Sequence, residues 1–208
     1  MVNRVSVANA LAASKVVAIL RGVSVTEVIP VAQSLYDAGI KFIEVPLTDP
    51  QALACIKTLK PAMPADCFIG AGTVVTTTQL NDVLCLGVDF ALAPNTDPEI
   101  IKLACKSNLL FVPGVATATE AFVAVQSGAT WLKLFPSHSY STTHIKSLKA
   151  VLPKHVMFMA VGGINVSNAK HWLNDGADGI GVGKDLYKSG DNANQVEEKA
   201  KAFDALIS

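Results

Sequence analysis

Apolar residues follow two alternating rhythms along this chain. Short, nearly continuous apolar runs rich in β-branched residues alternate with longer stretches where apolar positions recur every three to four residues. The short runs predict strands at Val16–Leu20, Lys41–Pro46, Cys67–Ala71, Asp89–Ala93, Leu109–Pro113, Thr130–Phe135, Val156–Val161 and Gly179–Val182. The periodic stretches predict helices at Glu27–Asp37, Pro50–Leu59, Thr78–Leu86, Pro98–Lys106, Thr119–Gln126, Thr143–Val151 and Ser167–Asn174. Successive strand starts lie about 20 to 26 residues apart, the length of one strand–helix unit.

The punctuation agrees with the rhythm. Four helices run into a glycine, at Gly39, Gly87, Gly128 and Gly176, where the left-handed conformation closes a helix without strain. Ser24 with Glu27, and Thr117 with Glu120, have the spacing of capping boxes. Eight units with continuously apolar strands predict an α/β chain folded as a (β/α)8 TIM barrel, a compact single domain over residues 1–208. A doubly wound parallel sheet is the competing architecture. Ser6–Ala13 predicts an extra N-terminal helix covering the barrel bottom, and Gln195–Ile207 the last helix.

Composition narrows the partners. With 208 residues, 50% of them hydrophobic, the chain can bury a large core. Its 17 basic and 17 acidic residues cancel without a basic block, which argues against nucleic acid as a partner. A small anion remains compatible, because backbone donors can hold one. No apolar run reaches membrane-spanning length, and Met1–Arg4 leads into a short stretch unlike a signal peptide. A soluble, cytoplasmic protein with no membrane partner is expected. Cys55, Cys67, Cys85 and Cys105 stand singly at intervals matching no zinc pattern, and read as buried free thiols. No metal and no cofactor is called for.

Two charges break the apolar pattern. Lys133 stands inside Trp131-Leu132-Lys133-Leu134-Phe135, and Glu44 inside Phe42-Ile43-Glu44-Val45-Pro46. Burial strips hydration from an ammonium, lowers its pKa and frees an amine that can attack a ketone. The plainer reading of Lys133 is a stem lying on apolar surface with its head in solvent. For Glu44 the alternatives are a proton carrier beside that amine, or a salt bridge to Lys133 or Arg21.

In a barrel the C-terminal strand ends form the active face. There the chain places Arg21-Gly22, Gly70-Ala71-Gly72-Thr73, Ala93-Pro94-Asn95, Pro113-Gly114, Gly162-Gly163 and Gly181-Val182-Gly183-Lys184. Arg21 could grip a carboxylate or lie exposed. Thr73 could donate to the same carboxylate or cap the next helix. Asn95 is open between turn former and ligand contact. The glycines after strands seven and eight, read as lying just before helices, are placed to offer backbone N–H groups to a phosphate, and Lys184 to add charge. Ser137 lies near the mouth. His138 and His144 read as exposed loop residues, while His155 and His171 fall outside the mouth.

These segments resemble the class I KDPG/KHG aldolases, enzymes of 2-keto-3-deoxy-6-phospho sugar acids. The likeness is carried by Ala18–Gly22, Ile43–Leu47, Ile69–Val74, Pro113–Thr117, Leu132–Pro136 and Ala160–Gly163 and spans nearly the whole chain. It implies a small (β/α)8 barrel, usually a homotrimer, with Lys133 as the Schiff-base lysine and Glu44 as general acid/base. It places Arg21 and Thr73 on the pyruvyl portion of the substrate, and Gly162, Gly163, Gly183 and Lys184 on its phosphate. Pro94 and Phe135 count as further substrate contacts at the same mouth. The products would be pyruvate and glyceraldehyde 3-phosphate.

Two departures stand out. Gluconate-type members carry a Thr-Leu-Arg after the glutamate strand; here Pro46-Leu47-Thr48-Asp49-Pro50 is closer to the galactonate-type pattern. Residue 184, commonly serine, is Lys184. Competing functions are gluconate-type or 4-hydroxy-2-oxoglutarate cleavage, a sugar-phosphate isomerase or epimerase using Glu44 without a covalent lysine, and a non-catalytic sugar-phosphate sensor.

Overall fold

Pro113 is where the sheet of this molecule closes on itself. In the computed structural model, which describes residues 3–207 and so leaves out Met1, Val2 and Ser208, nine parallel strand segments form one sheet. They are β1 (Val16–Ile19), β2 (Phe42–Pro46), β3 (Phe68–Gly72), β4 (Phe90–Leu92), β5 (Leu110–Val112), β6 (Gly114–Val115), β7 (Trp131–Leu134), β8 (Met157–Val161) and β9 (Gly179–Val182). The order is β5-β4-β3-β2-β1-β9-β8-β7-β6. β5 and β6 are two halves of one strand. β5 pairs with β4 and β6 with β7, so the broken strand joins the two ends of the list. The proline has no N–H to give to a ladder, yet its carbonyl accepts the Lys133 N–H at 2.8 Å. The predicted eight-stranded barrel is present, with its fifth strand divided.

The helices are α1 (Arg4–Ser14), α2 (Val28–Asp37), α3 (Ala52–Ala62), α4 (Thr77–Cys85), α5 (Pro98–Lys106), α6 (Ala118–Gln126), α7 (Thr143–Lys149), α8 (Ala169–Asn174) and α9 (Ala193–Ile207). Gly39, Gly87, Gly128 and Gly176 all have positive φ, as the helix-ending role requires, and Asn108 takes that role after α5 with φ 58°. Thr117 and Glu120 form the expected capping box. Ser24 and Glu27 do not. The Ser24 hydroxyl donates to the Glu27 carboxylate at 2.6 Å, and α2 begins after a turn held by the Ser24 carbonyl. A second capping box joins Thr76 to Gln79 at the head of α4.

Alternation along the strands sorts the core into two layers. Residues facing outward, such as Ala18, Ile43, Val45, Leu132 and Ile180, pack under the helices. Those facing inward, Val17, Phe42, Phe90, Leu92, Trp131 and Met159 among them, fill the barrel. Val7 and Leu11 join the inner layer, so α1 plugs the bottom as expected. Cys55 and Cys67 are buried free thiols, but Cys85 is exposed and Cys105 half-buried, because α4 and α5 turn those positions away from the core. No helix among the described residues is long and apolar enough to cross a membrane.

Candidate active site

β2 and β7 stand opposite each other in the eight-stranded ring, and each carries one inward charge. Glu44 is 2% exposed and Lys133 is 5% exposed. In register, Glu44 lies between Ile19 and Gly70, and Lys133 between Gly114 and Met159. The lysine shares its face with Trp131 and Phe135, and its Nζ sits 4.8 Å from the centroid of the Phe135 ring. A lysine with its head in solvent is therefore ruled out.

The salt bridge that is the alternative reading of Glu44 is absent too. Among the described residues it bridges to neither Lys133 nor Arg21, and no group hydrogen-bonds its Oε2. Burial pushes the Glu44 carboxyl above the usual carboxylate range, against the pull of Lys133 and Arg21. Burial pushes the Lys133 amine below the usual lysine range; Glu44 opposes that shift and Arg21 adds to it. Both groups are thus driven toward their neutral forms. An uncharged amine facing a carboxyl that can hold or release a proton is the equipment for covalent carbonyl chemistry.

A cavity of about 430 Å³ opens at this end of the barrel. It gathers Arg21, Phe135, Gly162, Gly163, Gly183 and Lys184, all singled out from sequence, while the buried Lys133 and Glu44 are not part of its lining. Ile164, Asp185, Tyr187 and Lys188 also line it. Sequence reasoning missed Lys188, because a lysine in a polar tail raises no local signal. Arg21, Lys184 and Lys188 against Asp185 give the cavity a positive balance inside a neutral chain. No acceptor among the described residues takes the N–H groups of Gly162, Gly163 or Lys184. These glycines do not lead directly into helices as expected. Asn165–Asn168 forms a side-chain-bonded turn before the short α8, and residues 184–186 form a single turn under the Gly183 carbonyl.

The loop after β7 braces the glycines. The buried Ser137 hydroxyl donates to the Leu134 carbonyl at 2.9 Å and accepts the Val161 N–H at 2.9 Å. The His138 N–H donates to the Gly162 carbonyl at 3.0 Å. The His138 ring side is exposed, whereas His144 is half-buried, stacked on Tyr140 and bonded through Nε2 to the Ala116 carbonyl at 2.8 Å. That correction follows from α7 folding back over the loop after β6.

Arg21 is exposed overall but lines the cavity, and its guanidinium donates to the Thr48 hydroxyl at 3.1 Å. Thr73 and Pro94 are half-buried at the ends of β3 and β4, outside the lining of this cavity. Thr73 is not the cap of α4, since Thr76 fills that place. Its φ of 58° is a left-handed conformation that a β-branched residue adopts only under constraint. The Pro94 carbonyl stands so close to Gly114 that a Cβ there would meet it at 2.2 Å. Asn95 is exposed and its side chain makes no bond among the described residues, so it acts through its backbone, where its carbonyl accepts the Gly114 N–H. Among the described residues, no group of three or more His, Cys, Asp or Glu could hold a metal ion.

Known proteins resemble this chain in sequence and in fold. The family profile described as KDPG and KHG aldolase matches residues 7–201. The chain is 38% identical over 187 residues to the 2-dehydro-3-deoxy-6-phosphogalactonate aldolase of Escherichia coli K12, covering 90% of this chain and 91% of that one. A solved native KDPGal structure superposes with a TM-score of 0.89 at 37% identity, over 92% of this chain and 93% of the other. A KDPG aldolase from Legionella pneumophila, solved with pyruvate captured as a covalent carbinolamine, superposes with a TM-score of 0.82 at 28% identity, over 95% and 94% of the two chains. The chain belongs to the KDPG and KHG aldolase family, and it is an aldolase, a carbon–carbon lyase.

Proposed function

We propose that this protein is a class I aldolase that cleaves 2-dehydro-3-deoxy-6-phospho-D-galactonate to pyruvate and D-glyceraldehyde 3-phosphate. The observation that carries the covalent mechanism is the buried Lys133 amine on the barrel wall opposite the unpaired Glu44 carboxyl. Neutral Lys133 attacks the C2 ketone; the Glu44 carboxyl then gives its proton to the carbinolamine hydroxyl, which leaves as water, so that a protonated imine and a Glu44 carboxylate result. Glu44 takes the proton of the C4 hydroxyl as the C3–C4 bond breaks. The bonding electrons flow into the imine and give an enamine, and the aldehyde departs. Protonation of the enamine at C3 and hydrolysis of the imine release pyruvate and restore the amine. The imine serves as the electron sink, so the reaction uses no cofactor.

Arg21 and Thr73 hold the substrate carboxylate, with Pro94 and Phe135 as flanking contacts. The open N–H groups of Gly162, Gly163 and Lys184, with the Gly183 turn and the Lys184 ammonium, hold the phosphate in the cavity. Lys188 adds a second cation there. The galactonate preference is supported by the loop Pro46-Leu47-Thr48-Asp49-Pro50, which lacks the gluconate-type arginine and sets Thr48 against Arg21. It is supported too by the 38% identity to a galactonate aldolase against 30% to a gluconate one. The whole chain works as one domain, in the cytoplasm, as a homotrimer by family resemblance.

Two measurements test this reading. Incubation with pyruvate and borohydride is expected to leave a reduced adduct on Lys133 alone; an unmodified lysine in active enzyme would reject the covalent mechanism. The ratio of kcat/KM for the galactonate and gluconate epimers is expected to favour galactonate. Equal rates would keep the aldolase and remove the role given to the 46–50 loop.

A further inference from the structure

Glu44 is a buried carboxyl group with little to hold it. Its Oε2 has no hydrogen-bond partner, and no ion pair among the described residues includes it. A proton carrier must nonetheless point at the reacting atom. Shape supplies the direction. A Cβ built on Gly72 would stand 1.6 Å from Glu44 Oε1, 2.5 Å from Cδ and 2.9 Å from Cγ. The carboxyl group occupies the place where any other residue at position 72 would carry its side chain.

Nothing else about position 72 asks for glycine. It is the last residue of β3, paired in register with Pro46, and its carbonyl accepts the Leu47 N–H at 2.8 Å. Its φ is not positive, so the backbone there would suit an ordinary residue. Gly70, two residues earlier on the same inward face, has a different occupant. A Cβ there would meet the Phe90 ring at 2.5 Å. The two inward glycines of β3 therefore seat an aromatic ring below and a carboxyl group above.

We propose that the missing side chain of Gly72 is the seat of the Glu44 carboxyl group and sets its direction for proton transfer, an inference that rests on the role given to Glu44 above. Gly72 is then a positioning residue. Holding the carboxyl by shape leaves Oε2 uncommitted to the protein, with its hydrogen-bonding capacity available to substrate.

A double-mutant cycle on Gly72→Ala and Glu44→Ala tests the seat, reading kcat/KM, its pH profile and the thermal midpoint separately. Gly72→Ala alone is expected to lose about as much turnover as Glu44→Ala, on the order of 100-fold. It should share that variant's altered pH profile and lower the thermal midpoint. In the Glu44→Ala background the same alanine should change neither turnover nor midpoint, because the seat is empty. Gly70→Ala, which meets Phe90, should destabilise in both backgrounds. If Gly72→Ala alone does not fold, a folded Glu44→Ala/Gly72→Ala protein still reports the coupling. Wild-type turnover and pH profile in Gly72→Ala, or an equal loss of midpoint with and without Glu44, would overturn the proposal. Failure of the aldolase reading looks different: the parent protein would show neither turnover nor pyruvate labelling, while the midpoint coupling could still be measured.

Discussion

The strand pairs β3–β4 and β8–β9 lie half a barrel apart, alike at the bottom and different at the top. Below β4, Asp89 accepts the Ile69 N–H and the Lys60 ammonium, both at 2.8 Å, and its own N–H donates to the Ile69 carbonyl. Below β9, Asp178 accepts the Phe158 N–H at 2.7 Å and the Lys149 ammonium at 2.6 Å, and its N–H donates to the Phe158 carbonyl. Each lysine comes from the last turn of the helix feeding the earlier strand, α3 or α7. The same brace thus ties helix, strand and neighbouring strand twice. At the top the likeness ends. β3 finishes in Gly72-Thr73, which seats a carboxyl group and presents a hydroxyl, while β8 finishes in Gly162-Gly163, which presents bare N–H groups. A shared base sets the strands, and in the proposed function the divergent tops address opposite ends of one substrate.

If that division holds, changes at the top should damage activity without unfolding the protein, and changes at the bottom should do the reverse. The largest effect belongs to Lys133→Met, which removes the nucleophile but fills the same apolar space. Turnover should fall by roughly 10⁴-fold or more, to the level of binding and electrostatics alone. Far-UV circular dichroism and the thermal midpoint should show a folded protein. Appreciable turnover without the amine would end the covalent mechanism.

Glu44→Gln comes next, with a loss of about 100-fold in kcat if the group carries the proton. Its stability should move the other way. Burial raises the folded carboxyl above its unfolded value, so the folded protein keeps a proton that the unfolded chain releases. The stability from that proton is complete below the unfolded carboxylate range and is lost as pH rises through the folded value. The amide has no proton to lose. Glu44→Gln should therefore melt above the parent at neutral pH, with the gap closing as the solution is made acidic. Because Lys133 and Glu44 titrate against each other, the closing of the gap reports the pair rather than one group. A gap that does not depend on pH would show that Glu44 is not held protonated by burial.

The phosphate end should respond more gently. If Lys184 and Lys188 hold the phosphate as proposed, Lys184→Met and Lys188→Met each remove one charge-assisted contact, and each should raise KM for the phosphorylated substrate about tenfold with little change in kcat. An unphosphorylated 2-keto-3-deoxy acid should be cleaved no worse by either variant. Equal damage to both substrates would make these lysines part of the scaffold and not of phosphate recognition.

Much of this site was legible in one dimension because its central residues break a local pattern. Lys133 and Glu44 are charges in apolar strands, and that anomaly needs no knowledge of neighbours. The strands and their glycine stops were legible for the same reason. Features set by packing across the barrel were not. Gly72 looks like any glycine before a helix until the side chain from β2 is placed against it. The sequence places Pro113 at the end of one strand, whereas its missing N–H divides that strand in two. The missing Glu44 ion pairs, the half-buried His144 and the cavity-lining Lys188 likewise depend on what other elements bring to them. Even the Ser24–Glu27 spacing, right for a capping box, was taken up by a side-chain bond of another kind.

The smallest expected effect is at the base, and it is the sharpest check on the comparison. Asp89 and Asp178 are 12% and 24% exposed, and each bonds to a backbone N–H as well as a lysine. Replacing either by alanine leaves a strand N–H without its acceptor and frees a partly buried ammonium to reach solvent. About 1–2 kcal/mol of stability should be lost at each, most of it from the N–H, since the half-exposed ion pair is screened. The two sites share no partner, so the losses should add in the double variant. Denaturant unfolding measures this directly. kcat/KM should stay at the parent value in all three proteins while they remain folded. If Asp178→Ala instead weakens turnover through a displaced Gly162-Gly163, then β8 transmits strain from base to mouth, and the two ends of the barrel are not independent.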